Sequence, residues 1–525
     1  MLPSSSYPPE SGRRLFLRNA AGALAGTLLG CKRARAARPN ILFALADDLS
    51  WKHVGVAGDR IVRTPHFDRV ARQGVLFTNS FAACPSCTPS RNAILTGRQM
   101  WQVEEGGNLH STYNPRYACY THLLEDAGYH TGHTGKGWAP GTWDAGGLKR
   151  NPAGREYNQH KLTPPSTGIF DGDYAANFQD FLAARPAGAP FCFWFGCREP
   201  HRDYESGYGV RTGKRLADVE VPPFLPDCEE VRGDLLDYYA EVEWFDTQLG
   251  RLLAILEQRG ERDNTIVVAT SDNGMPFPRA KANLYDWGTH MPLAIRWPAR
   301  VPGGRVVDDF VGHIDFAPTF LEAAGLPPHP QFTGRSLLPS LQSSRAGVVE
   351  AGRDVVYTGM ERHTWCRPEG AGYPMRAIRT GDYLYVRNFA PDRWPAGDPD
   401  FVSSNHTPYG DIDAGPTKKY MEAHPSGALF LAAFGKRPAE ELYDLRTDPA
   451  QVRNVAADPS YQEARDGLWK RLDAYLKRTG DPRIAGRDPW QGYIYHQTEG
   501  FGSSFNRSLP EEVRRKAREK QSRPE

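Results

Sequence analysis

The sequence predicts an α/β fold, with a large and mainly parallel sheet sandwiched by helices and a smaller C-terminal domain. Two continuous apolar runs, 41–46 and 265–270, have the composition of strands that are buried on both faces. Helix-like and strand-like stretches alternate between these runs, which favours a helix-covered parallel sheet. Farther along, 376–379 and 382–387 have the pattern of a β-hairpin, which we assign to the smaller domain.

Length and charge limit the classes of function. The chain has 525 residues, and its 64 Lys and Arg against 62 Asp and Glu give a formal charge of +2. This balance argues against a nucleic-acid partner, which requires a basic excess. Eight cysteines are too few for a disulfide scaffold in a chain of this length. We predict an export signal and linker over 1–37, a catalytic domain over 38–370, and a C-terminal domain with a polar tail over 371–525.

The amino terminus has the pattern of an export signal. Arg13 and Arg14 precede the short apolar run 19–30, as in twin-arginine signals, and the run is too short to span a bilayer. Two cleavage positions stay open: Cys31 ends a box that resembles that of bacterial lipoproteins, and Ala34–Ala36 has the small-x-small pattern. We expect an exported protein, either periplasmic or held at the bacterial cell envelope by a lipid anchor at Cys31. The alternative is a disordered basic tail.

The first apolar run ends in Asp47 and Asp48, and the second ends in Ser271, Asp272 and Asn273. Ligands bind at the carboxyl ends of strands in open α/β sheets, so two adjacent parallel strands would bring these side chains together. An all-oxygen cluster suits Ca²⁺ or Mg²⁺ and does not suit Zn²⁺. The alternative is that the aspartates following the first strand cap the next turn.

Three segments carry helix signals. Pro65 stands at the first position of a predicted helix. Segment 234–257 has apolar residues at helical spacing and is followed by Gly260. Segment 461–478 is amphipathic, and we place this helix in the C-terminal domain.

The segment around Cys87 predicts a nucleophile. Pro89 suits the first turn of a helix that ends near Gly97, so we expect Cys87 just before the helix N-terminus, where free amides favour an anion. Arg91 adds a positive fork that suits a tetrahedral oxyanion. Cys84 and Cys87 also form a Cys-x-x-Cys pair, but neither a thioredoxin-like setting nor a second metal-binding pair accompanies them.

At this point the sequence resembles a known family. Cys87-Thr88-Pro89-Ser90-Arg91, followed by Leu95-Thr96-Gly97-Arg98, resembles the signature of the sulfatases, a family of the alkaline phosphatase superfamily. The resemblance implies an alkaline phosphatase-like fold with a smaller C-terminal domain built on an antiparallel sheet and a packed helix. Further segments are similar to heparan N-sulfatase (sulfamidase) and its bacterial relatives; they are Glu199-Pro200-His201-Arg202, Ser271 to Pro278, Asn283-Leu284-Tyr285 and Tyr373-Pro374-Met375-Arg376.

The resemblance implies a modified residue and a metal ion in the site. The first is formylglycine, formed from Cys87 by a formylglycine-generating (sulfatase-maturating) enzyme; its hydrated form attacks sulfur. The second is one Ca²⁺ ion, held by Asp47, Asp48, Asp272, Asn273 and the residue at position 87.

The resemblance also assigns catalytic side chains. Arg91 would orient the formylglycine, Lys136 and Lys281 would bind the sulfate, and His201 would protonate the leaving group. Lys281 stands where the lysosomal heparan N-sulfatase carries arginine, which weakens the transfer of its substrate preference.

Three residues are candidates for contacts with the sugar, namely Arg202, Glu361 and His363. One position departs from the family pattern, because Trp138 stands where most sulfatases place a histidine. His133 and His110 are the candidates to replace that histidine.

Together these patterns predict a sulfatase that hydrolyses sulfate esters or sulfamates of a sulfated saccharide, for example the N-sulfoglucosamine of heparan-type chains. Two alternatives stay open. One is a phosphonate or phosphate-ester hydrolase of the same superfamily. The other is a sulfated-glycan binding protein without activity, which the tryptophan at the usual histidine position motivates.

Overall fold

A computed structural model describes residues 38–401 and 407–496 of the chain. The predicted export signal over 1–37, with Cys31, and the end of the polar tail lie outside the described residues. None of the helices within the described ranges combines the length and the apolar composition that a bilayer crossing needs.

Most of the strands form a larger and a smaller sheet, numbered here in chain order. The larger sheet has eight strands in the order β10-β2-β9-β8-β1-β7-β4-β6. The strands are β1 (Asn40–Ala46), β2 (Val75–Phe81), β3 (Ser111–Thr112), β4 (His130–Gly135), β5 (Gly141–Thr142), β6 (Arg155–Glu156), β7 (Phe191–Gly196), β8 (Thr265–Ser271), β9 (Leu293–Arg296), β10 (Arg305–Gly312), β11 (Val355–Met360), β12 (Met375–Thr380), β13 (Tyr383–Asn388) and β14 (Glu440–Asp444). Two of them, β3 and β5, form a short pair of their own.

The predicted mixed, mainly parallel sheet is confirmed. Strand β9 is antiparallel to both of its neighbours, β2 and β8, and the other neighbouring pairs are parallel. Strand β1 lies between β7 and β8 and is buried along its whole length, as its continuous apolar sequence predicts.

Helices cover both faces of this sheet. The helices are α1 (Pro65–Gln73), α2 (Cys87–Thr96), α3 (Tyr120–Asp126), α4 (Tyr174–Ala183), α5 (Tyr208–Arg211), α6 (Glu229–Gln258), α7 (Asp286–Thr289), α8 (Phe316–Ala323), α9 (Leu338–Gln342), α10 (Pro416–Ala423), α11 (Ala428–Phe434) and α12 (Gln462–Arg478). Alternate residues of β1 belong to two separate cores. Leu42 shares one core with Leu249 of α6, and Phe43 packs against Phe316 of α8 in the other. The sandwich arrangement is therefore confirmed.

The smaller sheet is antiparallel, in the order β11-β12-β13-β14. The predicted hairpin is its central pair, β12 and β13, and the predicted C-terminal helix is α12. Leu472 and Leu476 of α12 pack in one core with Ile378 and Leu384 of the sheet. Strand β11 precedes the boundary that we predict at residue 370, and that boundary stays a prediction.

A buried ion-pair network joins the smaller sheet to the chain after α12. Arg376, which is fully buried, lies 2.7 Å from Glu361 and 2.6 Å from Asp481. Glu361 is also paired with Arg483, at 2.5 Å. Buried charges are stable only when paired, so this network fixes the position of the Glu361 segment and of His363, which follows it.

Removing Arg376 should therefore destabilise the protein strongly. We expect Arg376→Leu to lower the free energy of unfolding by about 3–5 kcal/mol, because two buried carboxylates lose a partner. Arg387, which pairs directly opposite Arg376 across β12 and β13, is half-buried and lies 3.5 Å from Glu440. The matched variant Arg387→Leu should cost less than about 1 kcal/mol. Denaturant unfolding measures both, and equal losses would contradict a special role of the buried network.

Candidate active site

The pairing of β1 with β8 creates the centre of the site. The two strands are parallel, with Ala46 opposite Ser271, so the residues that follow them meet at one edge of the sheet. The Asp48 amide donates to Asp272 Oδ1 at 3.2 Å, and Asn273 Nδ2 donates to Asp48 Oδ1 at 2.6 Å. The predicted convergence of oxygen-bearing side chains is present, and all of these side chains are buried.

Helix α2 presents Cys87 to this cluster. The helix begins at Cys87, one residue earlier than we expect from the sequence, because Ser86 takes the cap position. Cys87 Sγ lies 3.5 Å from Asp47 Oδ1. Gly97 ends the helix with φ +59°, a conformation that glycine adopts without strain.

Arg91 bonds to two carboxylates of the cluster. Its guanidinium is fully buried, with Nε donating to Asp272 Oδ2 at 2.8 Å and Nη2 at 3.4 Å from Asp47 Oδ1. Nη1 donates to the carbonyl oxygens of Lys136 and Gly137 at 2.7 and 2.9 Å. Arg91 therefore positions two carboxylates and the lysine segment at the same time.

Two lysines pair with the two aspartates that follow β1. Lys136 Nζ lies 2.6 Å from Asp47 Oδ2, and Lys281 Nζ lies 2.7 Å from Asp48 Oδ2. Lys281 has a second partner, Asp413, at 3.1 Å. Sequence analysis missed Asp413, since it lies in the loop between β13 and α10 and carries no motif that links it to Lys281.

Burial and these cations set the ionisation of the carboxylates. Burial alone would raise the pKa of Asp47, but Lys136 and Arg91 outweigh it and hold that pKa well below its usual value. For Asp48 and Asp272 burial prevails over the nearby cations and raises each pKa to about 6. The cluster thus contains carboxylates in clearly different environments.

The carboxylate and amide oxygens of the cluster fit a hard cation, whereas the Cys87 thiol is a soft ligand. One ligand atom each from Asp47, Cys87 and Asp272 lie within 4.8 Å of one another, a cluster large enough for one ion. Asn273 Oδ1 is buried and has no hydrogen-bond partner among the residues that the structure describes. An orphaned buried oxygen requires an explanation, and coordination of a cation such as Ca²⁺ would supply one.

His201 faces the same cluster. Its Nδ1 donates to the Arg202 carbonyl oxygen at 2.5 Å, and its Nε2 lies 3.9 Å from Asp48 Oδ2. Burial, reinforced by Lys281, lowers the pKa of His201 to about 4. The Arg202 guanidinium points elsewhere and makes two bonds of 2.7 Å with Asp234 on α6.

The other two predicted sugar contacts differ in position. His363 Nδ1 is 2.8 Å from Ser86 Oγ, which brings this ring to the N-terminus of α2. Glu361 instead pairs with Arg376 and Arg483, and none of its described bonds reaches the carboxylate cluster. The roles of both residues in binding a sugar stay predictions.

A cleft of about 770 Å³ opens beside the cluster, and Asp47, Lys136 and His201 line it. Trp138 also lines the cleft, and its Nε1 is buried without a partner among the described residues. His133, one candidate to replace the family histidine, lines the same cleft, with Nδ1 bonded to the Gly154 carbonyl oxygen at 3.0 Å. His110, the other candidate, is absent from the cleft lining.

Known proteins resemble this chain in sequence and in fold. A human N-sulphoglucosamine sulphohydrolase is 29% identical over 505 residues, covering 88% of this chain and 94% of that protein. An ulvan-active sulfatase of Formosa agariphila is 27% identical over 503 residues and covers 85% and 76%. A solved structure described as a complex with D-glucosamine-2-N,6-O-disulfate has the same fold, with a TM-score of 0.61, 23% identity and coverage of 86% and 100%.

Two family models match the chain. A model for the N-sulphoglucosamine sulphohydrolase C-terminal region matches residues 280–395, which include Lys281, Glu361 and His363. The sulfatase model matches residues 39–326, more than half of the chain, from the start of β1 to just beyond α8. The chain therefore belongs to the sulfatase family.

Proposed function

We propose that this sulfatase releases sulfate from N-sulfated glucosamine residues, with Cys87 converted to formylglycine and one Ca²⁺ ion bound at the carboxylate cluster. The observation that carries the proposal is the placement of Cys87 Sγ, 3.5 Å from Asp47 Oδ1, at the point where the ends of β1 and β8 meet the N-terminus of α2. Formylglycine would supply a hydroxyl nucleophile there, and Ca²⁺ would supply charge that lowers the pKa of that hydroxyl and stabilises sulfate oxygens.

The cationic side chains would hold the sulfate. Lys136 pairs with Asp47 and Lys281 pairs with the adjacent Asp48, so a sulfate bound at these aspartates would meet both ammonium groups. Fixed cations that are already in place stabilise charge as it develops on a transferring group. Arg91, which has no exposed surface, would act by fixing the carboxylates.

His201 would transfer the proton to the leaving oxygen or nitrogen. Since Nδ1 is committed to the Arg202 carbonyl oxygen, Nε2 is the atom available on the cluster side. A bound sulfate adds negative charge next to the ring and favours its protonated form, which is the form that an acid needs.

The choice of N-sulfated glucosamine is supported by the match of residues 280–395 to the N-sulphoglucosamine sulphohydrolase C-terminal model. That region contributes Lys281 and His363, and both lie at the cluster or at the adjoining helix end. The name of the human relative refers to N-sulfoglucosamine, and the saccharide bound in the similar solved structure carries an N-sulfate beside a 6-O-sulfate.

Export and maturation are part of the proposal. The twin arginines Arg13 and Arg14 support an exported, periplasmic protein, and Cys31 supports a lipid anchor as an alternative to cleavage at Ala34–Ala36. Conversion of Cys87 requires a maturating enzyme as a partner. These assignments lie on residues outside the described structure, apart from Cys87.

Replacing Cys87 should abolish sulfate release. We expect Cys87→Ala to lower kcat/KM by at least about 1000-fold, because alanine cannot be converted to the formylglycine nucleophile. Cys84→Ala is the matched control, since Cys84 is equally buried but packs in the core of the smaller sheet, and it should retain activity. Peptide mass spectrometry of active protein from its native host should find formylglycine at position 87. An unmodified thiol in fully active protein would contradict the proposal.

Removing the metal should lower both activity and stability. Ca²⁺ at about 100 times its Kd should raise the free energy of unfolding of chelator-treated protein by about 2.7 kcal/mol. Asp272→Ala should lose this increase, whereas Asp246→Asn should keep it, because Asp246 is a buried carboxylate of α6 that accepts from the His66 and Phe67 amides of α1. Thermal unfolding with and without Ca²⁺ gives the comparison. Equal stabilisation of wild type and Asp272→Ala would place the ion elsewhere.

The substrate assignment predicts a preference between positions. We expect kcat/KM for sulfate release to be at least about tenfold higher with N-sulfoglucosamine than with glucosamine 6-O-sulfate. The reason is that a site whose polar groups match a sulfate on nitrogen rejects a sugar that lacks the N-sulfate. Parallel assays with a phosphonate monoester test the alternative activity. Faster phosphonate hydrolysis would contradict the sulfatase activity, and a reversed preference would contradict only the N-sulfate assignment.

A further inference from the structure

Arg198 is a cation in the active-site cleft whose charge is not neutralised by an ion pair. It lines the same cleft as Lys136 and Arg202. Lys136 is paired with Asp47 and Arg202 with Asp234. Arg198 has no carboxylate within 4 Å and donates no side-chain hydrogen bond to any residue in the described parts of the chain, and it is exposed.

The surroundings of Arg198 hold its guanidinium in place. The guanidinium carbon lies 4.1 Å from the centre of the Phe170 ring, a cation–π contact. The Phe170 amide donates to Glu199 Oε1 at 2.8 Å, and Tyr174 OH donates to Glu199 Oε2 at 2.9 Å. The Arg198 amide in turn donates to Tyr174 OH at 3.1 Å. Both the ring and the arginine backbone are thus anchored to one buried carboxylate.

The position of Arg198 suits a second contact with a bound saccharide. The Asp47 amide donates to the Glu199 carbonyl oxygen at 3.2 Å. Arg198 precedes Glu199 in the chain, so its side chain starts close to the carboxylate cluster. Neighbouring Cα atoms are 3.8 Å apart, and an extended arginine side chain from this point covers a distance comparable to one sugar ring. The other carboxylates near Arg198 have partners of their own, because Asp171 is paired with Lys161 and Glu156 lies 3.6 Å from His133. Glu156 is close enough for the Arg198 charge to help lower its pKa, after the larger effect of His133, but it forms no ion pair with Arg198.

We propose that Arg198 binds a second anionic group of the substrate, a sulfate or a carboxylate, while the reacting sulfate lies beside Lys136, where the cleft meets the carboxylate cluster. The inference rests on the proposed function, because it assigns the remainder of the same substrate. A guanidinium with five unused donors, in contact with an aromatic ring, can form paired hydrogen bonds with two oxygens of a sulfate or a carboxylate. Arg198 is therefore a specificity-determining residue of the site.

Binding to the Cys87→Ala variant tests the inference without turnover. The probes are N-sulfoglucosamine, glucosamine 2-N,6-O-disulfate, and N-sulfoglucosamine linked to a uronic acid. In this background, Arg198→Gln should weaken calorimetric binding of at least one doubly charged probe about tenfold or more. Binding of N-sulfoglucosamine should change less than about twofold. The probe that responds identifies the anion as a sulfate on the same ring or a carboxylate on the next.

The matched control is Arg155→Gln. Arg155 is also exposed and stacks on an aromatic ring, with its guanidinium carbon 5.4 Å from the Tyr157 ring centre, but it does not line the cleft. This variant should leave all three affinities unchanged. Arg198→Lys should retain part of the affinity that Arg198→Gln loses.

Several outcomes would overturn the inference. They are equal weakening of all three probes by Arg198→Gln, no weakening of either doubly charged probe, and no detectable binding of those probes before the substitution. Turnover of the same probes by the protein with Cys87 intact separates this inference from the proposed function. If sulfate is released from N-sulfoglucosamine but Arg198→Gln has no selective effect, the proposed function stands and only the role of Arg198 fails.

Discussion

The structure depends on the neutralisation of three carboxylates that the sheet brings together out of water. The parallel register of β1 and β8 leaves no alternative position for Asp47, Asp48 and Asp272, because each follows directly from the end of its strand. Isolated buried carboxylates cost several kcal/mol each. The fold must therefore deliver positive charge to the same place from other parts of the chain.

That charge arrives from three separate elements, which explains why distant segments are arranged as they are. Helix α2 supplies Arg91, the chain after β4 supplies Lys136, and the loop after β8 supplies Lys281. The last of these is shared with Asp413, which comes from the chain beyond the hairpin of the smaller sheet. The loop between β13 and α10 thus contributes to the site, and the buried network around Arg376 of the smaller sheet holds the segment that leads to His363.

The sequence predicted the parts of this arrangement that depend on residues close together in the chain. Two apolar runs ending in polar residues predicted β1, β8 and the oxygen cluster, because burial on both faces leaves a continuous apolar pattern. The reversal of β9 was not predicted, since a short strand has the same pattern in either direction. The pairs Arg202–Asp234 and Lys281–Asp413 join residues far apart in the chain, and only folding shows which partner each arginine or lysine finds.

The charge balance of the site has a consequence for substrate binding. Asp47, Asp48, Asp272 and Asp413 carry four negative charges when ionised, and Arg91, Lys136 and Lys281 carry three positive ones, so 3 − 4 leaves −1. The side chains of the site alone therefore do not attract an anion, and the whole chain, at +2, offers no long-range field. A divalent cation in the oxygen cluster would change the local sum to +1, which couples the affinity for an anionic substrate to the affinity for the metal. In such a site, a cation in the cleft that has no ion-pair partner attracts the substrate whether or not the metal is bound. Among the arginines and lysines that line the cleft in the described chain, Arg198 is the one without an ion-pair partner.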